Sequence, residues 1–426
     1  MSTFLFDAPR ELEQVYLVGG AVRDKLMGVQ SEDRDFVVVG ESPEKMKELG
    51  FRPVGDDFPV FLHPKTKEEY ALARTERKTG KGYRGFAADA SERITLEDDL
   101  ARRDLTINSM AMDKNGLITD PYNGRQDLEN KILKHTTEAF AEDPVRVLRV
   151  ARFYARLGPK WQIHESTKRL MRDMHSKGEL NHLVAERVWK ETERALMEPF
   201  PNLFFETLVD FDIFPELASM RGVPQPAVHH PEGDVFIHTM LVVQRAADLK
   251  FDLATRFAAL THDFGKPVAF AKYEKLLGHE QMGIKVIEDF CQRLKIPNKL
   301  ADIAKLTSDN HTRCHRIREL TPKKLHAFLI ESMNMLKNEG RFLQFLDACL
   351  CDSQGRGPTM VNNAYPQADI AKSYLASLKT LDAKGVVKQA IANGCKGKQI
   401  SEALRTAEID NIRQQRMRVL DLQSEN

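Results

Sequence analysis

The feature that most constrains this chain is a change of pattern near Glu142. From Val15 to about Tyr122 the apolar residues come in short runs, VYLVGGAV, DFVVVG, PVFLH, EYALAR and SMAMD, broken by Gly and Pro. Such runs, short and rich in β-branched residues, predict strands, and the first part of the chain reads as an α+β head with a mixed or mainly antiparallel sheet. From RVLRVARFYARL onward apolar residues recur at spacings of three and four, which predicts a succession of amphipathic helices. A chain of 426 residues exceeds the roughly 100–200 residues of a single core, so several domains are expected. Helix punctuation recurs at GPKW, EPFPN, KIPNK and TPKK, and the densest Pro and Gly cluster, 222–231, marks a linker with a boundary near residue 225. The division that follows is a head of residues 13–140, an all-α neck and body of 141–225, a second functional domain of 226–335 and a helical tail of 336–426, ending in an amphipathic helix.

Composition excludes several classes. At 42% hydrophobic and 29% charged residues the chain is an ordinary globular protein with ample core, not a disordered one. No stretch approaches the ~18 apolar residues of a membrane span, and MSTFLFDAPRELEQ lacks a basic and apolar leader, so a cytoplasmic location is expected. The 5 cysteines, Cys291, Cys314, Cys349, Cys351 and Cys395, have no paired Cys-x-x-Cys spacing and read as reduced thiols. With 63 basic against 62 acidic residues the total charge announces no polyanionic partner, and any basic surface has to come from local clustering.

Two short patterns in the head carry chemistry. In LVGGAVRDKLMG, Gly19 and Gly20 follow an apolar strand and precede a helical stretch bearing Arg23. Paired glycines clear side chains from backbone N–H groups that can face a phosphate, and Arg23 is placed one turn on to reach back to a triphosphate. The alternative is a plain tight turn. In SEDRDFVVVG, Asp33 and Asp35 are two apart before an apolar strand, so an extended backbone aims both carboxylates at one face. Two hard oxygen ligands side by side suit Mg²⁺, the ion that phosphoryl transfer between polyanions requires, whereas a solvated turn with Arg34 between two acids is the plainer reading of Asp-x-Asp alone.

Together, Gly19-Gly20-x-x-Arg23-Asp24-x-x-x-Gly28 and Asp33-x-Asp35 resemble the motif of the DNA polymerase β nucleotidyltransferase superfamily, in the form found in class II CCA-adding enzymes and bacterial poly(A) polymerases. Further blocks follow in the family order. ALARTERK resembles the strand with a third acidic residue, which falls near Glu69. LARRDLTINSMAMD resembles the block whose arginine contacts the nucleotide, here Arg103. AEDPVRVLRVARF resembles the Glu-Asp-x-x-Arg block, here Glu142, Asp143 and Arg146, with Arg149 and Arg152 on the following turns. The resemblance implies catalysis by Asp33, Asp35 and Glu69 and nucleotide contact by Gly20, Arg23, Arg103, Asp143, Arg146, Arg149 and Arg152.

An enzyme adding C, C and A to tRNA from CTP and ATP without a template has to read the base with protein groups. Asp143 and Arg146, three apart, lie on one face if both are helical. A carboxylate accepts from the exocyclic amino group that C and A share, and a guanidinium donates to the ring edge beside it, so the pair selects against U and G. The bland alternative is an intrahelical salt bridge of ~0.2–0.5 kcal/mol, with Arg146, Arg149 and Arg152 forming a solvated basic stripe.

Downstream, His238 in FIHTM, His262 and Asp263 in THDFGKP, His279 in LLGHE, His311 in SDNHTRCH and Asp352 in CLCDSQGRG resemble, in that order, the HD superfamily of metal-dependent phosphohydrolases. The resemblance implies metal ligation by His238, His262, Asp263 and Asp352, joined by His279 and His311 at a second ion. Imidazole mixed with carboxylate favours a transition metal such as Ni²⁺, Mn²⁺ or Co²⁺ over Mg²⁺. Thr312 stands after His311 where the family pattern often carries Asp, which bears on the second ion more than the first. The layout implied is that of gamma-proteobacterial CCA-adding enzymes, with phosphatase, 2′-nucleotidase and 2′,3′-cyclic phosphodiesterase activity in the HD domain. A poly(A) polymerase, an inactive RNA-binding head and an HD hydrolase whose head only binds tRNA are the other readings, and the sequence leaves the oligomeric state, a homo-oligomer included, open.

Overall fold

The computed structural model describes residues 6, 9, 11–30, 34–54, 59–78, 86–228 and 230–424. Asp33 lies outside the described residues. The chain divides into two compact units, residues 1–195 and 196–426.

The first unit is built on strands β1 (Val15–Val18), β2 (Asp35–Val38), β3 (Arg52–Pro53), β4 (Val60–Leu62) and β5 (Glu69–Leu72), a separate hairpin of β6 (Thr75–Lys78) and β7 (Phe86–Asp89), and β8 (Ala111–Met112) and β9 (Ile118–Thr119). Seven of them form one sheet in the order β3-β4-β5-β2-β1-β8-β9. The β2 to β5 pair is parallel and the other neighbours are antiparallel, so the sheet is mixed as expected. The central strands are apolar on both faces because both are covered. Leu17, Phe36, Val38, Tyr70 and Leu72 face one core with Met46 and Phe51, and Val18, Val37, Ala73 and Ala111 face another with Leu96 and Leu100. Phe36 and Tyr70 stack across the parallel pair at 4.6 Å, which pins the register that sets Asp35 beside Glu69.

Beyond residue 140 the chain is helical, as the periodicity implies, apart from strand β11 (Gln162–Ile163), which runs parallel to β10 (Ile132–Leu133). Helix Val145–Leu157 buries Val147, Leu148, Val150 and Ala151 completely.

The second unit packs helices Val235–Asp248, Leu253–Thr261, Lys266–Tyr273, His279–Leu294, Asn298–His315 and Glu339–Gln354 around Val242, Ala246, Phe257, Phe290 and Phe345. Asp234 and Asp252 cap two of these helices by accepting N–H bonds from Phe236, Ile237 and Thr255. The tail helix expected from the last polar stretch forms as Lys398–Ser424.

In the second unit Gly265 and Gly355 allow backbones to touch. A Cβ on Gly265 would stand 1.9 Å from the His279 carbonyl oxygen and 2.5 Å from Gly283 N, and one on Gly355 would stand 2.7 Å from the Val242 Cα. Neither contact can relax by a side-chain rotation. Gly265→Ala is therefore expected to destabilise the second unit by about 1–3 kcal/mol in urea denaturation. Gly340→Ala, where nothing lies within 4 Å, should leave the midpoint nearly unchanged.

Candidate functional sites

In the first unit Asp35 opens β2, with Val18 as its antiparallel partner and Glu69 as its parallel partner, and both carboxylates are exposed at the strand starts. The parallel register explains why a residue 34 positions away belongs with Asp35, since cross-strand partners project to the same side. Gly19 turns the chain between β1 and helix Gly20–Leu26 at φ 67°, and a Cβ there would meet the Arg103 guanidinium at 2.9 Å. The left-handed φ favours glycine, and a Cβ would in addition displace the end of the Arg103 side chain. Gly20 begins the helix without that crowding.

Arg103 is aimed at this turn by Asp99, a fully buried carboxylate that accepts from Arg103 at 3.1 and 3.3 Å and from Arg102 at 2.7 Å. Burial would raise the Asp99 pKa, but the two guanidiniums outweigh it and hold the group below the usual carboxylate range.

Arg23 is itself buried, 2% exposed, and donates to Asp24 at 2.7 and 2.9 Å and to Asn108 at 2.6 Å. It lies beneath the Gly-Gly turn with its donors engaged by protein, so in this arrangement it braces the turn. Asn108 in turn donates to Asp104, which also accepts from Arg149 at 2.7 Å and from Leu105 N at 2.8 Å. Burial would raise the Asp104 pKa, and Arg149 with Asn108 reverses that and drives it well down. Arg152 is buried and donates to Glu191 at 2.6 Å. Arg23, Arg149 and Arg152 all pack on the Phe153 ring, at 5.1, 5.8 and 4.8 Å, three cations gathered on one apolar face and balanced by Asp24, Asp104 and Glu191.

One sequence expectation is corrected here, and one plainer alternative is set aside. Asp143 does not share a helical face with Arg146. It stands ahead of the helix with extended backbone, φ −114° and ψ 107°, because Pro144 follows and disfavours the helical conformation at the preceding residue. Its carboxylate takes both Nη atoms of Arg187, at 2.7 and 3.1 Å, while Arg146 donates to the carbonyls of Ala139 and Arg102. Nor is Arg146, Arg149, Arg152 a solvated stripe, since Arg146 and Arg152 are buried and hydrogen-bonded. Asp99, Asp104, Asn108, Phe153, Arg187 and Glu191 were not singled out from sequence. Asp104 and Asn108 sit four apart, the spacing of one helical turn, in the block that carries Arg103, and that was the available signal.

In the second unit all six expected residues converge. His238 comes from helix Val235–Asp248, His262 and Asp263 from the turn after Leu253–Thr261, His279 and His311 from the helices they open and nearly close, and Asp352 from Glu339–Gln354. They form two triads, His238, His262, Asp352 and Asp263, His279, His311, whose ligand atoms lie within 4.8 Å of one another in each. Asp263 links them, with Oδ2 3.0 Å from His262 Nε2 and 3.8 Å from His238 Nε2, and Oδ1 3.4 Å from His279 Nε2 and 3.6 Å from His311 Nε2. The second triad is thus assembled although Thr312 occupies the position after His311.

Neither oxygen of the fully buried Asp263, nor His262 Nε2, has a hydrogen-bond partner among the described residues. Lys266 Nζ, 2.6 Å from Asp263 Oδ2, offsets part of that charge, and the common orientation of the remaining donor atoms fits a further cation between them. Backbone carbonyls hold the remote Nδ1 of His262, His279 and His311, which leaves Nε2 of each facing the centre. Burial would raise the Asp263 pKa, but His262 and Lys266, whose Nζ is 2.6 Å away, hold it well below the usual range. Burial would lower the His262 and His279 pKa, and Asp263 raises both, whereas burial takes His311 down to about 3.

Sequence reasoning missed Lys266, although it follows Asp263 by three residues, and His315, which binds Asp352 Oδ2 at 2.6 Å and Tyr365 at 2.9 Å. It also missed His230 and Glu232. The 222–231 segment, expected to be a linker, folds back through a Pro224 to Asp234 bridge and carries both toward His238.

The fold and the two sites define a class: a polymerase-type nucleotidyl-transfer head joined to an HD domain. The Poly A polymerase head domain family matches residues 15–134, the probable RNA and SrmB-binding site of polymerase A matches 161–220, and the HD domain family matches 235–350. A Multifunctional CCA protein of Teredinibacter turnerae is 48% identical over 408 residues, covering 94% of this chain and 97% of that protein, and one of Laribacter hongkongensis is 51% identical over 381 residues, covering 88% and 93%. The chain belongs to the multifunctional CCA protein family and is a nucleotidyltransferase with a phosphohydrolase-family domain. Its fold is similar to that of the Bacillus stearothermophilus CCA-adding enzyme solved with CTP, with a TM-score of 0.63 at 20% identity, covering 97% of this chain and 95% of that one. No helix among the described residues is long and apolar enough to cross a membrane.

Because Asp104 has a folded-state pKa below its ordinary 3.8, it stabilises the first unit above that value and the contribution is lost as pH falls through the folded pKa. Asp104→Asn is therefore expected to lower stability by about 1–3 kcal/mol at pH 6, and the gap from wild type should close below about pH 4 in urea melts. A gap that widened with acid would contradict the assignment.

Proposed function

We propose that the first unit transfers CMP and AMP from CTP and ATP to the 3′ end of tRNA, using Asp33 and Asp35 to hold Mg²⁺ with Glu69 alongside. The observation that carries the reading is the β2 to β5 register, which puts exposed carboxylates of Asp35 and Glu69 side by side at the end of a rigid sheet. The donor set is all hard oxygen and fits Mg²⁺, which when bound there favours deprotonation of the tRNA 3′-OH and neutralises the departing pyrophosphate. Asp99 aims Arg103 at the Gly19 turn, where it would meet triphosphate oxygens. Asp143, oriented by Arg187, would accept the amino group that C and A share, and the buried arginines on Phe153 hold the floor of the site.

The second unit would hold Ni²⁺ or another transition metal on His238, His262, Asp263 and Asp352, with His279 and His311 at a second ion, and remove phosphate from monoesters and 2′,3′-cyclic ends of RNA. Bound there, a divalent ion supplies Lewis-acid polarisation of the phosphoryl oxygens. The convergence of Asp263 with Nε2 of three histidines and the imidazole-rich donor set support this reading. The protein's own cation at the site, Lys266, keeps Asp263 ionised and oriented. A maturation and repair enzyme acting in the cytoplasm is the role these two chemistries would serve together.

Asp35→Ala is expected to abolish CTP and ATP incorporation while retaining Ni²⁺-supported hydrolysis of 2′,3′-cyclic AMP, and Asp263→Ala to do the reverse in Mg²⁺. Loss of both activities in either folded variant, judged by circular dichroism, would overturn the assignment. Asp143→Ala should reduce discrimination against UTP and GTP by about 1–3 kcal/mol in single-nucleotide incorporation rates. Unchanged selectivity with only a lower melting temperature would make the Asp143 to Arg187 pair a structural salt bridge.

A further inference from the structure

His238 presents Nε2 to the HD centre, 3.1 Å from Asp352 Oδ1 and 3.8 Å from Asp263 Oδ2. Unlike His262, His279 and His311, it has no backbone carbonyl among the described hydrogen bonds to fix its other nitrogen. What stands there is Glu232. Its Oε1 lies 2.7 Å from His238 Nδ1, in an approach too bent to be an in-line hydrogen bond, and 2.9 Å from His230 Nδ1. The carboxylate side chain is only 3% exposed, and the rings of His230 and His238 meet edge to face at 4.7 Å.

A buried carboxylate so placed has to be explained by what it holds. Sealed within 2.7 and 2.9 Å of two imidazole nitrogens, it is placed as the acceptor that orients both rings. The backbone delivers it deliberately. Gln225 N donates to Gly233 O at 2.9 Å, Gly222 N to Asp234 Oδ2 at 2.7 Å and Val235 N to Val223 O at 3.1 Å, which ties both ends of the segment to the start of the His238 helix. Gln225, buried in the same segment, accepts from Lys266, the lysine paired to Asp263.

We propose that Glu232 is a positioning residue of the HD centre: it keeps the proton of His238 on Nδ1 and so presents the Nε2 lone pair for a divalent ion, with His230 holding Glu232 in turn. The proposal rests on the reading that this centre binds such an ion. His238 Nε2 stands at hydrogen-bond distance from Asp352 Oδ1, 3.1 Å, so a proton drawn to Nδ1 by Glu232 Oε1 at 2.7 Å would free the Nε2 lone pair for a divalent ion shared with the carboxylates of Asp352 and Asp263. The described residues 222–228 and 230–234 then belong to the metal centre as its outer wall.

The test uses the full-length protein and metal alone. Ni²⁺ and Mn²⁺ affinities of wild type, Glu232→Gln, Glu232→Asp and Asp263→Ala would be measured by chelator competition, with metal-free melting temperatures as the folding check. Wild type should bind, Asp263→Ala should not, and Glu232→Gln should bind about 10- to 100-fold more weakly with Glu232→Asp recovering part of the loss. In ¹⁵N-resolved spectra of imidazole-labelled, metal-free protein, the His238 ring should be the Nδ1–H tautomer in wild type and lose that preference in Glu232→Gln. Equal affinity in wild type and Glu232→Gln overturns the proposal and leaves the metal-site reading standing. Failure of wild type to bind either ion overturns both. Loss of one bound ion per chain in Glu232→Gln, with the remaining affinity unchanged, overturns positioning in favour of a ligand role for Glu232. Should Glu232→Gln not fold, the partial recovery by Glu232→Asp and its tautomer decide the matter.

Discussion

An ionised carboxylate sealed from water has to be surrounded by cations, and in the second unit that carboxylate is Asp263. It is fully buried, both of its oxygens lack hydrogen bonds, and His262, His279, His311 and Lys266 press against it from different helices. The packing of that unit follows from this demand. Gly265 lets the turn after Asp263 approach the first turn of helix His279–Leu294 closely enough to deliver His279, and Gly355 does the same for the helices of His238 and Asp352. The first unit obeys a related rule with the signs exchanged. There the arginines are gathered, and the buried acids Asp99, Asp104 and Glu191 fix their direction. In both units buried side chains hold one another, Asp99 with Arg103 and Asp104 with Arg149 in the first and Asp263 with Lys266 in the second, which limits their freedom before any substrate arrives.

The motif-bearing residues were legible in the sequence because the chemistry needs fixed residue types at short spacings. Gly19, Gly20 and Asp35 fall at strand ends as the apolar runs imply, and all six HD residues meet although 114 positions separate His238 from Asp352. Glu69 was reached only through a block resemblance, yet the reason for it is the parallel register with Asp35, a pairing that no local pattern discloses.

What could not be read is who pairs with whom. Asp143 and Arg146 are spaced like an intrahelical pair, but Pro144 ends that possibility and tertiary packing supplies Arg187 instead. A run of arginines at three-residue intervals suggests a wet face, and burial against Phe153 depends on acids far away in sequence. A Pro and Gly cluster suggests a linker, because the same residues that disrupt helices also permit the tight bridge from Pro224 to Asp234. Glu232 and His230 follow from that folding, and His315 and Tyr365 from the packing of the helices they end and precede, none of it from spacing.

The two donor sets are chemically distinct, hard carboxylate oxygens in the first unit and imidazole mixed with carboxylate in the second, so on the proposed reading the two units would answer to different ions. The central claim is the template-free synthesis of a defined trinucleotide by the first. It is tested most directly by incubating the purified protein in Mg²⁺ with tRNA lacking its terminal CCA and with labelled CTP and ATP, separately and together, and sequencing the product ends. The account predicts two C residues followed by one A and then arrest. A lengthening tract of A, or no extension by a folded protein, would contradict it.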